Sequence, residues 1–222
     1  MFKIAIDGPS GAGKSSVAKA LSKKMGIVYV DTGALYRTVG YYIRSVGADP
    51  KSAEQVTPHL KDINIEVKYE NGTQCVYLNG ENLGDKIREP EISMYASAVS
   101  AIPAVRQFLL ETQKSVARAN NVVMDGRDIG TVILPDAEVK IFLTASVECR
   151  AKRRVLELEE KGMTARYEDV LKEMIERDNN DKNRDVAPAV AAEDAIVLDN
   201  SELTFEETLD KIIEIAKQRI DI

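Results

Sequence analysis

The chain has 222 residues, 44% of them hydrophobic, enough to bury a sizeable core in one domain that carries insertions. Its formal charge of −6 argues against a general nucleic-acid coat, which needs a basic surface, so any basic residues that handle phosphate must be concentrated locally. Cys75 and Cys149, far apart in apolar settings, suggest small buried hydrophobes rather than a disulfide framework or a zinc site. With no signal-peptide pattern and no apolar run near the ~18 residues of a membrane span, the expectation is a soluble cytoplasmic protein without membrane or nucleic-acid partners.

Residues 2–6 form a short apolar run broken only by Lys3, which predicts a buried parallel strand. There follows Gly8-Pro9-Ser10-Gly11-Ala12-Gly13-Lys14-Ser15, which fits G-x-x-x-x-G-K-[ST] at every fixed position. The glycines let the backbone curl with its N–H groups inward, and the next helix brings its positive end to the same point. The loop, with Ser16 beside it, is thus expected to hold the phosphates of a nucleoside triphosphate, Lys14 reaching the β- and γ-phosphates and Ser15 ligating Mg²⁺. Val17, Leu21 and Met25 mark one face of that helix, and Gly26 closes it. Residues 27–30 read as a second strand, and Asp31-Thr32-Gly33 leads into a second helix marked by Leu35, Val39, Ile43 and Val46. Strand, helix, strand, helix predicts a doubly wound α/β sheet.

The next stretch breaks the rhythm. Ile63, Ile65, Val67 and Tyr69 alternate with polar residues, and turns at Asn71-Gly72 and Asn79-Gly80 flank a strand over 74–78, an antiparallel meander. Pro90 opens a short helix through Ser97, and Pro103 a longer one with Val105, Phe108, Leu109 and Val116 on one face. The parallel pattern resumes at 122–124, with Asp125-Gly126-Arg127-Asp128 at the carboxyl end, and again at 139–143 and 195–198, before a helix over 205–219. This predicts a five-stranded parallel sheet with flanking helices, built from 1–37, 105–149 and 163–222. An inserted antiparallel and helical lobe would span 38–104 and a short helical lid 150–162.

Arg150, Lys152, Arg153 and Arg154 precede a run of glutamates, which describes either a solvated helix face or a lid that lays arginines over phosphates. Arg37, Arg106 and Arg127 follow strand or helix boundaries where a second phosphate group could bind, and arginine suits bidentate phosphate binding. If the helix through 176–184 continues to its end, Arg177, Asp181 and Arg184 share one face, either a surface ion-pair ladder or a catalytic face that neutralises a transferred phosphoryl group. No Ser-His-Asp or Cys-His arrangement stands out, and the lone His59 sits among charged residues as a surface group. An acceptor phosphomonoester needs no general base, because with a second pKa near ~6 it is largely dianionic at neutral pH.

Asp31-Thr32-Gly33-Ala34-Leu35-Tyr36-Arg37, Asp125-Gly126-Arg127-Asp128-Ile129-Gly130-Thr131-Val132 and Arg177-Asp178-x-x-Asp181-x-x-Arg184, beside the glycine-rich loop, make the sequence resemble the bacterial cytidylate kinases over essentially its whole length. The resemblance implies Mg²⁺-dependent transfer of the ATP γ-phosphoryl group to CMP or dCMP by a monomeric enzyme of pyrimidine nucleotide metabolism. It implies Ser97, Arg106 and Asp128 at cytosine, Arg177 and Asp181 at the sugar, and Arg37, Arg127 and Arg184 at the acceptor phosphate. Thr32 keeps the hydroxyl of a position often held by serine and counts with the substrate-binding residues. Lys14, Arg127, Arg177 and Arg184 are the expected catalytic set, and Arg150, Arg153 and Arg154 resemble a lid over ATP. Asp125 or Asp31 would hold metal-bound water. A GTPase switch is disfavoured by the lack of an N-K-x-D element. A non-catalytic nucleotide-binding module would bind ATP without CMP-dependent ADP formation, and a kinase for shikimate or a coenzyme precursor would have no use for the large inserted lobe.

Overall fold

The computed structural model describes residues 1–70 and 72–220. In chain order the elements are β1 (Lys3–Asp7), α1 (Lys14–Met25), β2 (Val28–Asp31), α2 (Thr32–Ser45), α3 (Ala53–Val56), β3 (Ile65–Glu70), β4 (Thr73–Leu78) and β5 (Glu81–Asn82). They continue with α4 (Pro90–Val99), α5 (Pro103–Ala119), β6 (Val122–Gly126), β7 (Val139–Thr144), α6 (Val147–Glu160), α7 (Tyr167–Asn183), β8 (Ile196–Asp199) and α8 (Phe205–Arg219). The five-stranded sheet has the order β2-β6-β1-β7-β8, and β3, β4 and β5 form a separate three-stranded sheet. The expected α/β architecture is therefore present.

Two compact units divide the chain. The first is Val28–Val122, with Met1; the second is Phe2–Ile27 with the chain from Val123 onward. The first contains the whole of the 38–104 stretch, and its core shows how that stretch is held. Leu35, Val39 and Ile43 of α2 pack in one cluster with Val76 and Leu78 of β4, Ile92 and Val99 of α4, and Val105 and Leu109 of α5. Helix α5, expected from residue 105 on to belong with the parallel sheet, thus shares its apolar face with the inserted stretch. Gly40 permits the α2–α4 contact, since a Cβ there would lie 2.9 Å from the Ala96 backbone nitrogen. The β4–β5 turn uses Asn79 and Gly80, both at positive φ (49° and 86°), as the Asn-Gly pair predicts. Asn71 of the other expected turn lies outside the described residues.

In the second unit, β1 pairs in parallel with β7 from Ile4–Val139 to Asp7–Phe142, and β7 with β8 from Ile141–Ile196 to Thr144–Asp199. Ile4, Ile6, Met124, Ile141 and Leu143 are fully buried, as strands covered on both faces require. Helix α1 ends at Gly26, in the left-handed region with φ 65°, as expected. Residues 150–162 do not stand apart. Ala151 of α6 is buried against Val170 and Met174 of α7, with Val155 and Leu158 beside them, so the expected lid starts inside a packed helix. The cysteines are free, as expected, but only partly buried rather than buried. For Cys75 the reason is strand period: Val76 and Leu78 of β4 face the core, which leaves residue 75 on the opposite face.

Candidate functional site

Strand β1 ends at Asp7, and the glycine-rich loop begins at once. Gly8 has φ +142°, and a Cβ there would sit 1.9 Å from the Leu143 carbonyl oxygen, so only glycine lets the loop leave the sheet at this point. Lys14 is 5% exposed and donates from Nζ to the Pro9 carbonyl at 2.7 Å. Burial drives its pKa well below the ordinary lysine value, with Arg127 and Arg177 pushing the same way against the opposing pull of Asp125 and Asp7. Ser15 Oγ donates to Asp125 Oδ2 at 2.8 Å. The hydroxyl expected to ligate a metal therefore lies beside a buried carboxylate at the end of β6.

The expected lid arginines occupy a different place. Arg150, 4% exposed, spends Nε on the Ala145 carbonyl (2.9 Å), one terminal nitrogen on the Ser10 carbonyl (2.9 Å) and the other on Asp178 Oδ2 (2.6 Å). Arg153 donates to the side-chain and backbone oxygens of Asn200 (3.1 and 2.8 Å), and Asn200 Nδ2 donates to the Ala12 carbonyl (3.1 Å). Both arginines thus brace the loop through protein oxygens, while Arg154 pairs with Glu157 at 2.9 Å on the same helix. Neither a solvated face nor an open lid describes Arg150. Sequence reasoning misses Asn200, Asp178 and Asp7 as members of this region. The available signal is position, since Asp7 and Asn200 stand at or just past the carboxyl ends of strands, where ligands gather in such sheets.

Arginines and carboxylates meet at the end of β6 and the end of α7. Arg127 Nε donates to Asp181 Oδ2 at 2.9 Å, and Arg177 donates to Ser10 Oγ at 3.2 Å. Helix α7 stops at Asn183, so Arg184 is not a third member of a continuous helix face. It turns out in extended conformation (φ −69°, ψ 143°), donates from Nε to the Ala187 carbonyl at 2.6 Å, and places its terminal nitrogens 3.7 Å from Asp128 Oδ1 and 3.9 Å from Asp181 Oδ1. Arg177, Asp181 and Arg184 still belong together, but through a chain exit rather than helical spacing. The Asp181 and Arg184 side chains are only 10% and 7% exposed, which excludes a solvated surface ladder. Burial alone would raise the Asp181 carboxyl; Arg127, Arg177 and Arg184 outweigh it and hold it below the usual carboxylate range. Behind them Asp7 accepts from the backbone N–H groups of Ile129 and Gly130 (2.8 and 2.7 Å), and burial pushes its carboxyl up to about 6 despite those bonds.

The first unit carries a second set. Asp31 caps α2, Oδ1 accepting from the Ala34 N–H at 2.9 Å while Oδ2 accepts from Arg37 at 2.8 Å. Asp31 thereby ties the start of α2 to the Arg37 guanidinium. Thr32 is buried. Arg106, 8% exposed, donates to the Ser100 carbonyl (3.2 Å) and lies 5.6 Å over the Tyr36 ring; Ser100 Oγ donates to the Ser97 carbonyl at 2.8 Å. Ser97 and Arg106 are thus linked through one residue at the α4–α5 junction. His59 packs edge-on against Tyr42, 6.1 Å between centroids, and belongs to neither set.

Chemically, the second unit gathers Lys14, Arg127, Arg177 and Arg184 around three carboxylates, Asp125, Asp128 and Asp181, in a largely buried setting. Buried cations of this number at the start of a helix can take an anion, since a negative group there offsets their mutual repulsion. The family model described as Cytidylate kinase matches residues 4–218 of the chain. The cytidylate kinase of Fervidobacterium nodosum is 52% identical over 220 residues, covering 99% of this chain and 98% of the relative; that of Caldicellulosiruptor saccharolyticus is 50% identical over 214 residues, covering 96% and 95%. Among solved structures, that of an uncharacterized protein from Eubacterium ventriosum shares the fold at a TM-score of 0.50 and 16% identity, covering 99% of this chain and all of that one. A match of this length, on a chain whose loop, Asp-Gly-Arg-Asp turn and arginine cluster are built as described, shows that the protein belongs to the cytidylate kinase family.

Proposed function

We propose that the protein transfers the γ-phosphoryl group of ATP to CMP or dCMP, giving ADP and CDP or dCDP. The observation that carries this reading is the buried cluster that sets Lys14 beside the Ser15–Asp125 pair and the Arg127–Asp181 ion pair, on a chain of the cytidylate kinase family. Lys14, released from the Pro9 carbonyl, binds the β- and γ-phosphates, while the loop N–H groups hold the donor. Ser15 hydroxyl and Asp125 carboxylate, 2.8 Å apart, are hard oxygen donors that fit Mg²⁺, Asp125 acting directly or through water. When bound, the ion neutralises charge on the β- and γ-phosphate oxygens.

Arg127, Arg177 and Arg184 stabilise the charge on the transferred group and acceptor phosphate, and Asp181 holds them in place while accepting from the sugar. Asp128 accepts from the cytosine amino group. In the other unit Arg37 binds the acceptor phosphate, Arg106 and Ser97 serve the base, and Thr32 adds a hydroxyl. A carboxylate facing a cytosine amino group is left unpaired by uracil, which offers an acceptor there, so UMP is the poorer substrate. Arg150 and Arg153 support the donor loop from behind, with Arg154 the arginine of this group left to approach phosphate. Residues 38–104 act as the monophosphate-binding lobe in the same reading and 150–162 as a lid whose first turn stays packed on α7, and the enzyme works as a cytoplasmic monomer in pyrimidine nucleotide metabolism. No helix among the described residues is long and apolar enough to cross a membrane.

A coupled ADP-release assay tests this directly. CMP-dependent ADP formation should require Mg²⁺, stop on chelation, and fall by at least about 10²-fold in Lys14→Ala, in line with removal of a charge stabiliser from a phosphoryl-transfer site. ADP formation independent of CMP, or unchanged in that variant, would refute the reading.

A further inference from the structure

One polar side chain joins the three-stranded sheet to the helix that carries Arg37. The two-residue period of β4 puts residues 74, 76 and 78 on one face; Val76 and Leu78 are 5% and 8% exposed, and the third residue is Gln74, half-buried. A glutamine on a core-facing position costs desolvation unless its amide is fully bonded. Both ends are engaged: Oε1 accepts from the Asp31 N–H at 2.8 Å, and Nε2 donates to the Asp31 carbonyl at 3.1 Å. The amide orientation follows from chemistry, because a backbone N–H needs an acceptor and a carbonyl a donor. The side chain thus supplies to Asp31 the pair of bonds a neighbouring strand residue would offer, at the outer edge of β2, the edge strand of its sheet.

Asp31 is where this matters. Its backbone takes the Gln74 clasp, Oδ1 caps α2 at Ala34, and Oδ2 holds Arg37. Gly33 leaves room for that pair, since a Cβ there would lie 3.0 Å from an Arg37 terminal nitrogen and 3.2 Å from Asp31 Oδ1. A continuous set of directed bonds therefore runs from a residue 43 positions away in the insertion to the Arg37 guanidinium.

We propose that Gln74 is a positioning residue for the acceptor phosphate: its amide fixes the Asp31 backbone, and Asp31 then presents Arg37 in one orientation. The proposal rests on Arg37 as an acceptor-phosphate ligand. Gln74 touches no substrate and acts only through Asp31 and Arg37. Loss of the clasp leaves α2 in place, because Leu35, Val39 and Ile43 still hold it in the apolar cluster, but frees the Asp31 side chain to turn and Arg37 with it.

Two variants test this. Gln74→Met keeps length and apolar bulk but removes both bonds; Gln74→Glu keeps an acceptor for the Asp31 N–H and loses the donor to its carbonyl. Steady-state kinetics with CMP and ATP, and amide hydrogen exchange at Asp31, are measured on the full chain. Gln74→Met should raise KM for CMP about 5- to 10-fold while KM for ATP and kcat stay within about twofold, the pattern of lost ground-state binding. Exchange at Asp31 should speed up, with Gln74→Glu intermediate in both readouts. In an Arg37→Ala background, Gln74→Met should add nothing further to KM for CMP, because the two act in series. Faster Asp31 exchange with unchanged KM for CMP overturns the proposal, as does a fall in kcat alone, the mark of a smaller folded fraction. If Arg37→Ala itself leaves KM for CMP unchanged, the assignment of Arg37 fails and the proposal with it, whereas faster exchange at Asp31 in Gln74→Met would still report the clasp.

Discussion

Replacing Asp181 by asparagine removes one negative charge from the centre of the arginine cluster and nothing else of size. The carboxylate accepts from Arg127 Nε at 2.9 Å and lies 3.9 Å from Arg184, with its side chain 10% exposed. Asparagine keeps one acceptor oxygen, so the Arg127 bond survives in neutral form; the difference between charged and neutral hydrogen bonds sets a floor of about 1 kcal/mol. Breaking a buried ion pair outright costs about 3–5 kcal/mol and sets the ceiling. A loss of about 2 kcal/mol in transition-state stabilisation corresponds to about a 30-fold fall in kcat/KM for CMP. Stability should fall by a similar amount at pH 7. Because the arginines hold the folded carboxyl below its unfolded value, this contribution is present above the unfolded pKa and is lost as pH falls through the folded one. Urea unfolding of the two proteins should therefore show a constant gap from neutral pH down to the ordinary carboxylate range, closing only below it. A variant with kcat/KM within twofold of the parent and no stability gap would show that Asp181 is a bystander among the arginines.

Asp7 has the opposite sign. Its carboxyl rises from 3.8 to about 6 on folding, so protonated Asp7 favours the fold below about pH 4 and that contribution is lost as pH rises through 6, a change of about 3 kcal/mol. Relative to the parent, Asp7→Asn should gain stability between pH 4 and pH 7 in urea titrations; parallel curves would contradict burial as the cause of the raised carboxyl. Gly8→Ala forces a Cβ to 1.9 Å from the Leu143 oxygen and should abolish ATP binding or folding, read by calorimetry and circular dichroism; a fully active variant would mean the loop can leave the sheet another way. Ser15→Ala should raise the Mg²⁺ concentration needed for half-maximal rate by about tenfold or more while leaving the fold intact, and an unchanged Mg²⁺ dependence would remove the hydroxyl from the metal site.

Local periodicity and fixed motifs make part of this fold legible in the sequence. The strand runs, the loop spelling and the Asn79-Gly80 turn each depend on residues close in the chain, and each stands where expected. The unit boundary is not legible, because the apolar stripe of α2 does not say whether it packs on the sheet or on α4. Arg150 and Arg153 look like lid residues by composition, yet their partners, Asp178 and Asn200, lie 28 and 47 residues away. Arg184 follows a helical charge pattern that the backbone abandons one residue earlier. Gln74 reads as one more polar strand residue, and only the fold brings Asp31 to its amide.

Phosphoryl transfer from ATP to a cytosine nucleotide is most directly tested in a single competition reaction. ATP labelled in its γ-phosphate is offered with Mg²⁺ and an equimolar mixture of CMP, UMP, AMP and GMP. Label is expected in CDP ahead of every other nucleoside diphosphate, and in inorganic phosphate only as a trace. Label spread evenly over the four diphosphates, or released mainly as phosphate, would contradict the assigned reaction.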